Sequence, residues 1–331
     1  MTLTRWQKGA LRLIGTIALI AGIFWFIPFR EVLTALRNVH LGWIAVAFAL
    51  NLVVAALEAL QLWLLLNRAG ISVAPWPVFE TKFIARFYGQ FLPSDLLASA
   101  VKLQILAGPT RQYGEVTAAL VFCRVVNTLG LLLLGLVLWT IEWPTGPGRW
   151  IGIVMFGMLA SLFLAHLALA SRAVNRHAGR ILATPVFAWL KGKVMDKVGR
   201  FMRTMAESYR LFDNMVWNIT FVSLVRHVVG ILSFACAALA LDIHLSLVTI
   251  GWIRVVIQAL MMLPIHLSGI GVREGSLVIL LQEYSVPAGD AVALAFMLFV
   301  IYLVGNSMGG LFELKNLLRA RRNVVAGSRP E

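Results

Sequence analysis

Leu263-Pro264-Ile265-His266-Leu267-Ser268-Gly269-Ile270-Gly271-Val272-Arg273-Glu274-Gly275 sets one proline, three glycines and two adjacent opposite charges between long apolar runs. A charged side chain at the centre of a bilayer costs roughly 2.5–3.5 kcal/mol on insertion scales. Irregular backbone survives at that depth only where protein or a water-filled cavity surrounds it. The stretch therefore implies a pocket inside a membrane protein rather than one more span.

Composition agrees with that class. The chain is 60% hydrophobic and 13% charged, and several of its apolar runs approach the roughly 20 residues that cross a bilayer. The first run is long, ends at Pro28 and lacks a small-residue cleavage site, so it reads as a retained span rather than a signal peptide. Cys123 and Cys236 both fall inside apolar runs, which suggests neither a disulfide framework nor a metal site. The net charge of +14 comes from residues clustered in short loops and tails beside the spans, the pattern of the positive-inside rule, so no nucleic-acid partner is expected.

Six full spans are expected: Ala10 to Pro28, Leu41 to Leu66, Val116 to Thr140, Trp150 to Ala170, Met215 to Leu241 and Asp290 to Leu314. Arg5, Lys8 and Arg12 place the amino terminus in the cytoplasm. The Trp/Pro/Gly-rich stretch from Glu142 to Arg149 is then an outside turn. The loop from Ser171 to Asp213 carries nine Lys or Arg against three acids, the strongest topological signal in the chain. Lys315, Arg319, Arg321 and Arg322 return the carboxyl terminus to the cytoplasm, while Arg30 and Arg37, partly offset by Glu31, run against the rule. The expected organisation is a single transmembrane domain over 1–331: a first half to residue 140, the basic loop 171–213, a second half 214–316 and a tail 317–331.

Two regions remain, Pro75 to Tyr113 and Leu245 to Tyr284, and they overlay without a gap. Leu92-Pro93 falls on Leu263-Pro264, Lys102 on Arg273 and Tyr113 on Tyr284. Each reads as a half-helix, a proline or glycine break and a second half-helix: a re-entrant hairpin. Three full spans separate them, so one enters from the cytoplasm and the other from outside. The expected fold is all-α: about six full transmembrane helices plus two broken re-entrant hairpins in an inverted repeat. In transporters, such paired broken segments point to a substrate site near the midplane.

Ionisable residues concentrate around these regions: Glu58 deep in the second span, Arg124 in the third, Arg226 with His227 in the fifth, and Lys82, Arg86, Lys102, Arg254, Arg273 and Glu274 around the hairpins. A lone buried charge is far more costly than a paired one, and Glu58, Glu80, Asp95 and Glu274 cannot serve every cation. The surplus points to an anion site, with Arg suited to phosphate by its planar fork and half-helix amino termini adding partial positive charge. Arg273 and Arg124 are the foremost candidates. Arg226 has the alternative of pairing with Glu58, and Lys82 and Arg86 that of reaching the interface. His227, His244 and His266 lack metal-ligand spacing. The full candidate set is Arg273, Glu274, Gly269, Gly271, Arg124, Lys102, Pro93, Arg226 and Glu58, with no catalytic residue, metal or cofactor.

The stretch from Leu263 to Gly275, with Tyr284-Ser285-Val286-Pro287 and Gly309-Gly310-Leu311, resembles the lysylphosphatidylglycerol synthase transmembrane region, the flippase-like domain family. The resemblance spans nearly the whole chain and is sharpest at Gly269, Gly271, Arg273, Glu274 and Gly275, where the family reads G-x-G-x-R-E. Leu92-Pro93, Lys102 and Arg124 match a second family feature, a Leu-Pro turn followed by a basic residue and later an Arg in the next span. The chain departs from the family at Leu96-Leu97-Ala98-Ser99-Ala100 with Lys102, where members carry a Gly-Gly pair and an Arg; Lys there is a point charge without the fork.

The resemblance implies movement of lipids, or of lipid-linked head groups, between leaflets of the cytoplasmic (inner) membrane, with a phospholipid or lipid-linked substrate as partner. No aminoacyl-transferase domain follows, as one would in the lysyl-lipid enzymes, so a transporter is favoured over an enzyme. The alternatives are a membrane-embedded transferase acting on a lipid-phosphate-linked sugar or aminoacyl group, with Glu274, Asp95 or Glu80 as base, and an accessory protein whose basic loop docks a biosynthetic enzyme or anionic lipid.

Overall fold

In a computed structural model, residues 36–37, 39–91, 95–144, 146–170, 201, 204, 206–261 and 271–327 are described. Among them all regular structure is helical: α1 (Leu41–Arg68), α2 (Pro75–Phe91), α3 (Asp95–Ala107), α4 (Tyr113–Glu142), α5 (Gly146–Ala170), α6 (Val216–Leu239), α7 (Leu247–Leu260), α8 (Val272–Gln282) and α9 (Ala288–Gly327). Four helices are long and apolar enough to cross a membrane: Leu41–Arg68, Tyr113–Glu142, Ala206–Leu239 and Ala288–Asn316. The expected span from Trp150 to Ala170 lies within α5. Along it Trp150, Ile153, Val154, Phe156, Phe163 and Leu164 are exposed, which suits contact with lipid and not water. The expected span from Ala10 to Pro28 lies outside the described residues. The protein is an all-helical polytopic membrane protein.

The two regions expected to be broken each form two short helices, α2 with α3 and α7 with α8. At 17, 13, 14 and 11 residues all four fall short of the roughly 20 needed to cross. Pro75 sits in the first turn of α2, where a missing N–H costs nothing. Ser246 caps α7 by accepting the Thr249 N–H at 3.0 Å. Residues 92–94 and 262–270, where the breaks were expected, lie outside the described residues.

Element order repeats: α1 to α4 and α6 to α9 both run long, short, short, long. The ends of the long helices repeat in detail. After α1, Gly70 takes φ +79° and the Ile71 N–H returns to the Leu66 carbonyl at 2.9 Å; after α6, Asp242 takes φ +56° and the Ile243 N–H returns to the Ala238 carbonyl at 3.0 Å. Before α4 and before α9 stand Arg111 and Ser285, both at φ +58°. Such conformations are uncommon for non-glycine residues.

Packing divides the chain into two units, one of 1–55, 79–102 and 229–331, the other of 56–78 and 103–228. In the first, α8 packs on both α7 and α9. Trp252, fully buried, donates from Nε1 to the Tyr284 hydroxyl at 3.1 Å. Gly309 of α9 lies so close to α2 that a Cβ there would collide with the Phe83 carbonyl. Phe312 meets Phe79 and Phe83 edge-on, and Lys315 Nζ bonds Glu80 Oε1 at 2.9 Å.

In the second unit, Leu65, Leu66, Val78, Phe122, Tyr209 and Ile219 lie in one apolar core. Phe122 meets Tyr209 and Phe212 at ring separations of 5.0 and 5.3 Å. Here α1 and α6 run antiparallel, because Glu58 bonds Arg226 while Gln61, further along α1, donates to the carbonyl of Ile219, earlier on α6.

Two boundaries differ from expectation. The basic loop was expected to run to Asp213, yet 206–211 is helical and buries Tyr209 and Phe212, three residues apart on one face. The last span was expected to end at Leu314 with a tail from 317; the apolar stretch does end near there, at Asn316, but α9 runs on through the tail to Gly327 because Leu-Leu-Arg-Ala-Arg-Arg is built of strong helix formers.

Candidate functional site

α8 begins on Gly271, whose φ of +87° lies where only glycine is unstrained. The Gly275 N–H closes the first helical turn on the Gly271 carbonyl at 3.0 Å. Glu274 reaches back over this end, its Oε2 accepting the Gly271 N–H at 2.6 Å and its Oε1 accepting from Arg273 Nη2 at 2.7 Å. One carboxylate therefore pins both the backbone at the start of α8 and the guanidinium beside it. It also sits where a helix favours negative charge.

Arg273 is buried, at 5% exposure. Its Cζ lies 5.5 Å from the centre of the Phe299 ring, a cation–π contact that holds the planar group from α9. Its Nε–H, also buried, finds no acceptor among the described residues. A guanidinium has five donors in a fixed fork, so the bond from Nη2 to Glu274 leaves donor capacity beyond that pair. An unfilled buried donor of this kind is costly unless something else fills it.

A second cluster forms where α1, α4 and α6 meet. Arg226 Nη1 donates to Glu58 Oε1 at 2.9 Å, and Arg226 Nη2 lies 2.8 Å from His227 Nε2. His227, at 2% exposure, is also 3.0 Å from the Asn127 carbonyl. Asn127 donates to Cys123 Sγ at 3.4 Å.

The sequence-derived candidates thus sort into two groups. Arg273, Glu274 and Gly271 form one, and Glu58 with Arg226 the other. Lys102 is half-buried on α3 and Arg124 exposed on α4. Pro93 and Gly269 lie outside the described residues. Asn127 and Phe299 were missed. Asn127, one turn from Cys123 in an apolar run, carried the signal of a polar stripe, whereas nothing in the sequence marked Phe299.

Among the described residues the protein is thus an all-helical membrane protein with paired short helices and a buried Arg–Glu pair at the start of one of them. The sequence pattern of the lysylphosphatidylglycerol synthase TM region matches residues 13–310, and the chain belongs to that family. No curated protein and no solved structure matches the chain. The family is that of a membrane protein of lipid modification or transport.

Proposed function

We propose that this protein moves a lipid, or the phosphate head group of a lipid-linked substrate, between the leaflets of the cytoplasmic membrane. Arg273 carries the proposal: a buried guanidinium at the start of a short helix, with an Nε–H that meets no acceptor among the described residues. That is the chemistry of phosphate recognition. Glu274 and Gly271 set the position of the fork. Acyl tails stay in lipid while the head group crosses.

The repeated order of long and short helices, together with the opposite run of α1 and α6, supports an inverted repeat in which the two short-helix pairs enter from opposite faces. Rocking of one repeat against the other then exposes the site alternately. Both termini and the basic loop are placed on the cytoplasmic side. Single cysteines introduced by Lys191→Cys and Pro147→Cys are expected to label from opposite sides of the membrane; labelling from one side overturns this topology.

The function is tested by identifying the lipid that copurifies with the protein and then measuring leaflet exchange of that lipid, and of fluorescent phosphatidylglycerol, in liposomes. Exchange above protein-free liposomes is the expected result. Its absence for both lipids contradicts the proposal.

A further inference from the structure

α9 has two unlike sides. Gly309, Phe312 and Lys315 stand on one of them, against α2: a Cβ on Gly309 would meet the Phe83 carbonyl, Phe312 meets the Phe83 ring, and Lys315 bonds Glu80. On the other side Phe296, Val300, Leu303, Leu311, Leu314 and Leu318 are exposed. Their spacings, built from steps of three and four residues, keep them on one helical face. In a helix long and apolar enough to cross a membrane, a continuous exposed face of this kind borders lipid tails.

The helix outlasts its apolar stretch, which ends at Asn316, whereas α9 runs on to Gly327. Counted from Leu314, Leu318 lies four residues on, Arg321 and Arg322 seven and eight, and Val325 eleven. The face that carries leucine within the span therefore carries two arginines just beyond it. The step from Leu318 to these arginines is about 4.5–6 Å along the axis, at about 1.5 Å per residue. Each head-group layer of a bilayer is about 5–7 Å deep outside the hydrocarbon core. With Leu318 at the edge of that core, Arg321 and Arg322 stand level with the lipid phosphates. Arg319 falls elsewhere, four residues after Lys315 and on the side that faces α2. The last turn of α9 holds no basic residue, so the arginine pair is not placed to complement the helix dipole.

We infer that Arg321 and Arg322 form a binding site for anionic phospholipid on the lipid-facing side of α9. Guanidinium forks match phosphate oxygens in pairs. Long stems let such heads reach the phosphate layer from an apolar helix flank. Phosphatidylcholine brings its own cation to its phosphate, whereas phosphatidylglycerol does not, so the arginines select the anionic lipid. The site requires only that α9 crosses the bilayer; it is separate from Arg273 and stands whether or not the protein moves lipid.

The test uses the full-length protein with a fluorescent amino acid in place of Val324, which lies off the face described. The protein is reconstituted in phosphatidylcholine vesicles holding a minority of phosphatidylglycerol, and quenching is compared for either lipid carrying a nitroxide near the top of one acyl chain. Labelled phosphatidylglycerol is expected to quench more strongly at the same bulk fraction, reporting local enrichment of roughly fivefold per arginine. Arg321→Gln with Arg322→Gln should bring the two lipids level, while Arg319→Gln keeps most of the enrichment. Salt near 1 M, where the screening length is about 3 Å, should weaken it. Equal quenching by the two lipids, or quenching by neither, overturns the inference. So does enrichment that survives in the double variant. Loss in Arg319→Gln as large as in the double variant shows diffuse charge rather than a site on one face, and overturns it as well.

Discussion

Arg273 and Glu274 are neighbours in sequence and bond across 2.7 Å at the start of a short helix, whereas Arg226 and Glu58 lie 168 residues apart and bond across 2.9 Å between two long ones. The chemistry is the same and the consequence differs. The first pair can form as soon as α8 does, so it contributes little to bringing distant elements together; its geometry instead fixes where a donor fork points. The second pair exists only in the assembled protein, and it ties α1 to α6 in the interior of the spans. Sequence separation thus distinguishes a pair that prepares a site from one that joins elements of the fold.

The largest effect should come from breaking the distant pair on one side. Glu58→Ala leaves Arg226 without its carboxylate and is expected to cost about 3–5 kcal/mol of stability, with the charge-free double variant Glu58→Gln, Arg226→Gln recovering much of it. Thermal unfolding in detergent reads both, and two variants of equal stability would contradict a structural pair. Arg273→Ala leaves Glu274 without its guanidinium and should lower stability as well, but its larger mark should be head-group binding weakened by roughly tenfold to a hundredfold, since charge-assisted hydrogen bonds contribute about 1.5–3 kcal/mol. Arg273→Lys, with charge but no fork, should fall between, as measured by lipid retained through purification. A smaller effect is expected from Gly271→Ala. Forcing a side chain to φ +87° costs roughly 1–3 kcal/mol of local strain, read as faster hydrogen exchange across the first turn of α8. Smallest is Tyr88→Phe, which removes a 3.1 Å bond to Glu313 and should change stability by no more than about 1 kcal/mol.

How much of this could be read beforehand follows from the range of each signal. The paired short helices were legible because proline and glycine act locally, and the matched positions of Pro93 and Pro264, Lys102 and Arg273 led to them. The Glu274 contact to Gly271 follows from the three-residue spacing of a helix start. The left-handed residues Arg111, Asp242 and Ser285 were not legible, since none is glycine and the helix ends above them impose the conformation. The meeting of Asn127 with His227 joins residues 100 apart, a contact set by how α4 packs on α6 and by no local pattern. The helical stretch before Asp213 was hidden by the basic residues that made 171–213 read as a loop, although Tyr209 and Phe212 carried the apolar spacing.

The central claim is that Arg273 serves an anionic head group and does not merely balance Glu274. Leaflet exchange of fluorescent phosphatidylglycerol by the double variant Arg273→Ala, Glu274→Ala tests it most directly, because that change leaves no unpaired charge behind. Exchange reduced roughly tenfold or more, as in Arg273→Ala, is the predicted result. A double variant that exchanges lipid nearly as well as the unaltered protein would contradict the binding role and reduce the pair to a structural one.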